Sequence, residues 1–249
     1  AASSCSRKKR LRLGSCASVA SAQRFAKEFP AEPRNATVLT NAAEKLFALR
    51  DLEPAAGVAE QVLALQPAAA AEQRRIAWTV IAHAAFERSA YSKSEKAYAE
   101  VLALTPANDK GRNDVVERLA ASVYKQGEQA RAAGNTRDAV GHFNRVAVLA
   151  PQSAVRATAQ YDAAAALIGL KDWDGAARSL EDFRQRFPNH ALQEDVGAKL
   201  AVAYLEKGQW SLAAGEFERV AVTKKEPQVV RGALWQAAEL HEKGADRSG

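Results

Sequence analysis

Residues 200–220 of this 249-residue chain read LAVAYLEKGQWSLAAGEFERV, and this stretch decides the fold. Small and large apolar residues recur every three or four positions on both sides of the triplet Lys207-Gly208-Gln209. That spacing places them on one face of a helix, and a glycine between two such runs can end the first helix. The stretch therefore predicts two amphipathic helices joined by a tight turn. The pattern is carried by Leu200, Ala201, Tyr204, Ala213, Phe217 and Val220.

The same pattern recurs along the chain at a nearly constant step. The small residue at the place of Ala213 has earlier counterparts at Ser18, Ala55, Ser94, Ala139 and Ala176. Twelve residues after each counterpart comes a proline, at Pro30, Pro67, Pro106, Pro151 and Pro188. A proline cannot continue the helical hydrogen-bond ladder, so each should end the second helix of its copy. Steps of 37, 39, 45 and 37 residues between the prolines indicate an array of helical hairpins.

These copies resemble tetratricopeptide repeats (TPR), which share the offsets of small and large apolar residues and the closing proline. The resemblance covers roughly residues 15–243. It implies an all-α fold, a right-handed α-solenoid of TPR helical hairpins. We expect a single array over residues 15–249 with about five to six hairpins, incomplete at both ends. Residues 1–14 are expected to be a basic, disordered tail or an addition foreign to the natural chain.

The 45-residue step is the main departure from regularity. Its eight extra residues correspond to about two helical turns and fall between Pro106 and Ala139. We expect them to lengthen the first helix of that copy, which should run from Asn113 to Ala133. Gln126 also replaces an apolar residue there, so packing in this repeat should be less regular.

The net charge of +6 comes mostly from one short segment. Arg7, Lys8, Lys9, Arg10 and Arg12 lie among the first twelve residues without any acid, and the rest of the chain is nearly neutral. A nearly neutral array has no broad basic face that could follow a phosphate backbone. We therefore expect no nucleic-acid partner.

Motifs for catalysis and metal binding are missing from the sequence. The four histidines lie in different copies, and both cysteines, Cys5 and Cys16, lie in or beside the basic segment. No phosphate-binding loop, nucleophile elbow or dinucleotide fingerprint occurs, and no apolar run is long enough to cross a bilayer. We predict a protein that is not an enzyme and has no cofactor, metal site or transmembrane segment.

The candidate site is the concave groove, which in tetratricopeptide proteins is lined mostly by the first helix of each hairpin. Aromatic residues mixed with charges suit an extended peptide or a partner helix, because the aromatics anchor it and the polar neighbours set its register. For Phe47 and Phe86, packing against neighbouring helices is an equal alternative. The resemblance assigns to the groove Thr40, Glu44, Phe47, Thr79, His83, Phe86, Tyr124, Glu128, Arg131, Tyr161, Val202 and Leu205.

Residues 180–190, LEDFRQRFPNH, are similar to bacterial envelope proteins of the outer-membrane-assembly and Tol-associated coordinator type, and residues 26–30, AKEFP, resemble the same phrase. The resemblance implies a periplasmic or envelope-associated protein, with a cytoplasmic location left open. The leading hypothesis is a non-catalytic scaffold that binds a peptide or helix of a protein partner, with partner identity and oligomeric state undetermined. The alternatives are a structural spacer subunit of a larger complex and the regulatory or targeting arm of a longer protein.

Overall fold

The computed structural model describes residues 17–246, and every regular element in that range is an α-helix. The first helix, α1, spans residues 17–28. The others are α2 (Asn35–Ala48), α3 (Leu52–Leu63), α4 (Ala71–Glu87), α5 (Tyr91–Leu104), α6 (Arg112–Ala132), α7 (Thr136–Leu149), α8 (Val155–Gly169), α9 (Trp173–Arg186), α10 (Gln193–Glu206), α11 (Trp210–Thr223) and α12 (Pro227–Asp246). The predicted all-α array of helical hairpins is confirmed. The predicted basic tail, residues 1–14, lies outside the described residues.

The hairpin turns are built on residues with a positive φ. Among the described residues, five complete hairpins pair α2 with α3, α4 with α5, α6 with α7, α8 with α9 and α10 with α11. Gly134 (φ 80°) and Gly208 (φ 68°) form two of the turns, as glycine should. Arg50, Ser89 and Lys171 form the other three with φ values of 66°, 59° and 58°. A side chain in this conformation costs roughly 1–2 kcal/mol, so three turns hold local strain.

The periodic prolines end the second helices as predicted. Each lies two to four residues beyond the last residue of α1, α3, α5, α7 or α9. The proline ring would clash with the carbonyl four residues earlier if the helix continued. The sequence period thus sets the helix ends as well as the helix count.

The chain divides into two compact units, residues 1–123 and 124–249, and the boundary falls within α6. In unit 1 the repeated small residue is fully buried at Ala55 and at Ser94. The Ser94 hydroxyl donates to the carbonyl of Ala82 across the α4–α5 hairpin at 3.0 Å, which satisfies a polar group inside the core.

Ser18 departs from the other copies of the small residue. It is exposed, and its hydroxyl accepts a hydrogen bond from Lys45 Nζ at 3.3 Å. Ala22, four residues later in the same copy, is buried, so this copy buries the next position of its pattern but not the small residue itself.

Unit 2 has the most regular core. Ala139, Ala176 and Ala213 are fully buried, and so are Phe143 and Leu180, which follow four residues after two of them. Small residues let neighbouring helices approach closely, and the large residues one turn later fill the space between them. The core of each hairpin thus follows from the sequence pattern.

The predicted long helix is confirmed as α6, Arg112–Ala132, within one residue at each end. The less regular packing expected for this repeat stays a prediction, and two features describe the packing of its second half. Gln126 is buried, and a Cβ atom placed on Gly127 would lie only 2.5 Å from the ring of Phe143. Phe143 on α7 therefore packs closely against α6 next to this buried polar residue.

Candidate functional site

The first helices of unit 1 carry six of the predicted groove residues, and the three that are not aromatic differ in burial. Thr40 on α2 is buried, and its hydroxyl donates to the carbonyl of Ala36 at 2.6 Å. Thr79 on α4 is half-buried and bonds in the same way to the carbonyl of Arg75 at 2.8 Å. Glu44 is exposed. Of these three, Glu44 presents the most surface to solvent.

The aromatic groove residues of unit 1 pack against one another and against the core. The Phe47 ring lies 5.6 Å from the His83 ring, which lies 5.7 Å from the buried Tyr98 ring. Burial lowers the pKa of His83, and nearby Arg118 lowers it further. His83 is therefore mostly neutral near pH 7 and acts as an aromatic spacer between its two neighbours.

Phe86 provides the other aromatic contact of unit 1. Its ring meets Tyr91, the first residue of α5, edge-on at 5.2 Å between centroids. The Phe86 side chain is half-buried and packs between the two helices of its own hairpin. Phe47 and Phe86 thus both pack against residues of neighbouring helices, as the alternative to groove binding proposed.

In unit 2 two of the three groove residues of α6, Tyr124 and Arg131, bind the same carboxylate of α8. The Tyr124 hydroxyl donates to Asp162 Oδ2 at 2.6 Å, and Arg131 Nη1 donates to Asp162 Oδ1 at 3.2 Å. Burial and the bond to this carboxylate raise the pKa of Tyr124. Glu128, between them on the helix, forms an ion pair with Lys125 at 2.5 Å. The α6 strip is therefore a polar network that joins two successive first helices.

A tyrosine–carboxylate hydrogen bond also joins the next two first helices, α8 and α10. Tyr161 on α8 donates its hydroxyl to Asp195 on α10, and the Lys199 ammonium lies 5.4 Å from the centre of the Tyr161 ring. Lys199 also lies 3.6 Å from Asp195. The sequence pattern placed Tyr124 and Tyr161 at equivalent positions, and the structure gives both the same role toward the following repeat.

The last two predicted groove residues, Val202 and Leu205, lie on α10. Val202 is exposed, with 45% of its surface accessible. Leu205 is half-buried and lines a cleft of about 440 Å³. The cleft combines an apolar floor with charged and amide side chains, and its other residues are Phe217, Gln236, Glu239, Leu240, Glu242 and Lys243.

A residue that the sequence reasoning missed is Trp235 on α12. Tyr124, Tyr161 and Ala198 hold the same position in three successive copies, 37 residues apart. Trp235 lies 37 residues after Ala198 and therefore holds the same position in the next copy. The indole is 67% exposed, and Leu234 beside it is 51% exposed. Extending the repeat offset into α12 would have found this residue.

Neither a metal-binding cluster nor a helix suited to cross a membrane occurs among the described residues. Among residues 17–246 no group of three His, Cys, Asp or Glu side chains is arranged to hold a metal ion. Within the same residues, no helix combines the length and the apolar character that a membrane crossing requires. The arrangement can bind apolar and charged side chains of another molecule by burial and charge pairing.

The hairpins, the turns on positive-φ residues and the closing prolines define the class: the chain is a tetratricopeptide repeat protein. The model of the family described as "YfiO: Outer membrane lipoprotein" matches residues 117–243, just over half of the chain. The chain belongs to this family. No curated protein sequence matches it significantly.

Several solved structures are similar to this chain at low sequence identity. YrrB, described as a TPR protein with an unusual peptide-binding site, is 16% identical, with 85% of this chain and 98% of that one covered and a TM-score of 0.41. The TPR domain of P58(IPK) is 16% identical, with 96% and 67% covered and a TM-score of 0.41. A tetratricopeptide repeat protein from Parabacteroides merdae is 17% identical, with 96% and 89% covered and a TM-score of 0.37.

Proposed function

We propose that this protein is a non-catalytic scaffold of the bacterial cell envelope, which binds a peptide or helix of a partner protein on the first helices of unit 2. The observation that carries the proposal is the exposed apolar surface on α10, a first helix, and on α12, which follows the last complete hairpin. Val202 and Trp235 are 45% and 67% exposed, and Leu205 and Leu240 line a cleft together with charged side chains. Exposed apolar groups beside polar ones are typical of protein-binding surfaces.

The envelope location is supported by the family, whose description is an outer membrane lipoprotein. The sequence resemblance of residues 180–190 to envelope proteins agrees with it. Cell fractionation of the natural producer tests this part of the proposal. We expect the protein in the envelope fraction, and recovery in the cytosolic fraction alone would contradict it.

The binding surface can be tested by photo-cross-linking at single positions in living cells. A photoreactive residue at Val202, on a first helix, should form a discrete cross-link to one partner protein. Val148 and Val222 are matched controls, since both are exposed valines on second helices of the same unit. Cross-links at Val148 and Val222 without any at Val202 would refute the assignment of the binding surface to the first helices.

The spacer alternative rests on one specific observation about those control positions. Val148 and Val222 are 80% and 86% exposed, and each lies nine residues after the repeated small residue of its copy. Two equivalent apolar side chains on second helices would suit a subunit that contacts its complex through those helices. The same experiment decides between the two functions, because each predicts cross-links at a different set of valines.

A further inference from the structure

A second concave surface of unit 2 lies between α7, α8 and α9. It is a cleft of about 350 Å³, and it shares no residue with the predicted groove strip. Its floor includes the buried ring of Phe143 and the half-buried Ala147 on α7. Asn144 on α7 and Ser179 on α9 add polar groups to its walls.

The charged residues of this cleft are mostly basic. Arg156 from α8 and Arg178 and Arg186 from α9 line it, and Asp182 is the one acid among its lining residues. Arg178 is exposed, and Asp174, one turn before it on α9, forms an ion pair with Lys207 at 2.7 Å and interacts more weakly with Arg178. The cleft therefore carries an excess of positive charge in an otherwise nearly neutral array.

Both oxygens of the single acid, Asp182, already accept hydrogen bonds. Arg186 Nε donates to both oxygens of Asp182 at 2.7 and 2.6 Å, and Gln160 Nε2 donates to Oδ2 at 2.9 Å. Burial raises the pKa of Asp182, but these bonds outweigh it and lower the pKa overall. Asp182 is thus ionised at neutral pH and holds Arg186 and Gln160 in place at one wall.

The Arg156 side chain is also fixed before any ligand arrives. Its Nη1 donates to the carbonyl of Pro151 at 2.7 Å, and its guanidinium lies 5.8 Å from the centre of the Phe187 ring. A guanidinium already held in place loses less conformational freedom when it binds an anion. Arg156 and the exposed Arg178 both line the cleft.

We propose that this cleft, defined by Arg156, Arg178 and Arg186, binds an acidic peptide segment of a protein partner through its carboxylates. Guanidinium groups match the two oxygens of a carboxylate, and the half-buried Ala147 offers an apolar contact to the methylene groups of a glutamate. A bilayer contacts protruding groups, whereas these arginines line a recess, so the shape favours a peptide over a lipid surface. The cleft shares no residue with the predicted groove strip, although its Phe143 ring contacts Tyr124 and Arg131 of that strip.

The test uses the full chain with a benzophenone residue at Asn144, which is exposed and lines the cleft. The probe is a biotinylated hexaglutamate peptide, with hexaglutamine as the neutral control. Because the cross-linker reports only contacts at the cleft, binding to the basic segment at residues 7–12 does not contribute. We expect a cross-link to hexaglutamate and none to hexaglutamine.

Charge reversal at the cleft then separates a specific site from general attraction. Arg178→Glu should reduce the cross-link yield at least about tenfold. Arg137→Glu makes the same charge change at an exposed position on α7 outside the cleft and should leave the yield unchanged. Arg178→Lys should retain part of the cross-link yield. Circular dichroism should show equal helicity in all variants.

Three results would overturn the proposal. The first is no cross-link to hexaglutamate in the unsubstituted cleft. The second is an equal loss in Arg178→Glu and Arg137→Glu, which would indicate diffuse charge attraction. The third is sedimentation with phosphatidylglycerol vesicles that depends on Arg178 while hexaglutamate fails to cross-link, which would assign the cleft to a membrane surface instead.

Discussion

The ion pair between Arg184 on α9 and Glu216 on α11 should be one of the strongest single contributors to the stability of unit 2. Arg184 Nη1 and Nη2 donate to the two oxygens of Glu216 at 2.7 and 2.5 Å, and the Glu216 side chain is only 5% exposed. The pair lies against α10, because a Cβ atom on Gly197 would come within 3.4 Å of Glu216 Oε2. It therefore links three successive helices.

The expected magnitude follows from this geometry. Two unit charges about 4 Å apart attract by about 4 kcal/mol at an effective dielectric constant near 20. Removing one partner of a buried pair costs about 3–5 kcal/mol, because the remaining charge loses its compensation. The Arg184 side chain is 25% exposed, so water recovers part of this cost. We expect Glu216→Ala to lower the free energy of unfolding by about 2–4 kcal/mol.

Urea unfolding followed by far-ultraviolet circular dichroism measures this loss. Glu218→Ala is the matched control on the same helix, since Glu218 is half exposed and pairs with His241 at 3.0 Å. Its cost should be within about 0.5 kcal/mol. The double variant Arg184→Met, Glu216→Leu should recover most of the stability, because an apolar pair can replace a buried ion pair. A loss below about 1 kcal/mol for Glu216→Ala would refute the reasoning, since that is the range of a surface pair.

Three further predictions concern local features. Burial lowers the pKa of His83 below 6.5, so the unfolded chain takes up a proton first as the pH falls, and the free energy of unfolding decreases. Between about pH 7.5 and 5.5 the His83→Gln variant should therefore lose less unfolding free energy than the parent. Equal losses in the two proteins would contradict this. Gly127→Ala should destabilise by about 1–3 kcal/mol in urea unfolding by clashing with Phe143, whereas Gly141→Ala, with open space around it, should stabilise by up to about 1 kcal/mol. Lys171→Gly should raise the thermal midpoint by relieving a positive φ, worth about 0.5–1 kcal/mol, and a lower midpoint would argue against strain there.

The helices and their ends could be predicted from the sequence because the signals that set them are local. A proline stops a helix wherever it stands, and the apolar offsets identify the buried face of each helix without knowledge of its partner. The long α6 shows how far this reaches: an insertion of eight residues in the period was enough to place it within one residue of its bounds. Ala139 and Ala176 are fully buried for the same reason.

The polar contacts between repeats could not be predicted in this way. Asp162 is 38 residues from Tyr124, and Glu216 is 32 residues from Arg184. Neither sequence separation equals the repeat step, because the two residues of each pair hold different positions in neighbouring copies. The repeat pattern specifies which positions are apolar and leaves the polar ones open, so these bonds appear only when the helices are packed. Trp235 differs from these polar residues, because extending the repeat step into α12 leads to it directly.

The bonds made by Tyr124 and Tyr161 also change how the first-helix surface must be probed. Both hydroxyl groups are already bonded to a carboxylate of the following first helix, so each tyrosine holds two repeats together. Replacing either by alanine would weaken that link as well as remove an aromatic ring, and a loss of partner binding would have two causes. Val202 and Trp235 are exposed, and neither takes part in the inter-repeat network of Asp162 and Asp195. Substitutions at these two positions therefore report on the surface itself, whereas substitutions at the tyrosines report on the rigidity of the array that presents it.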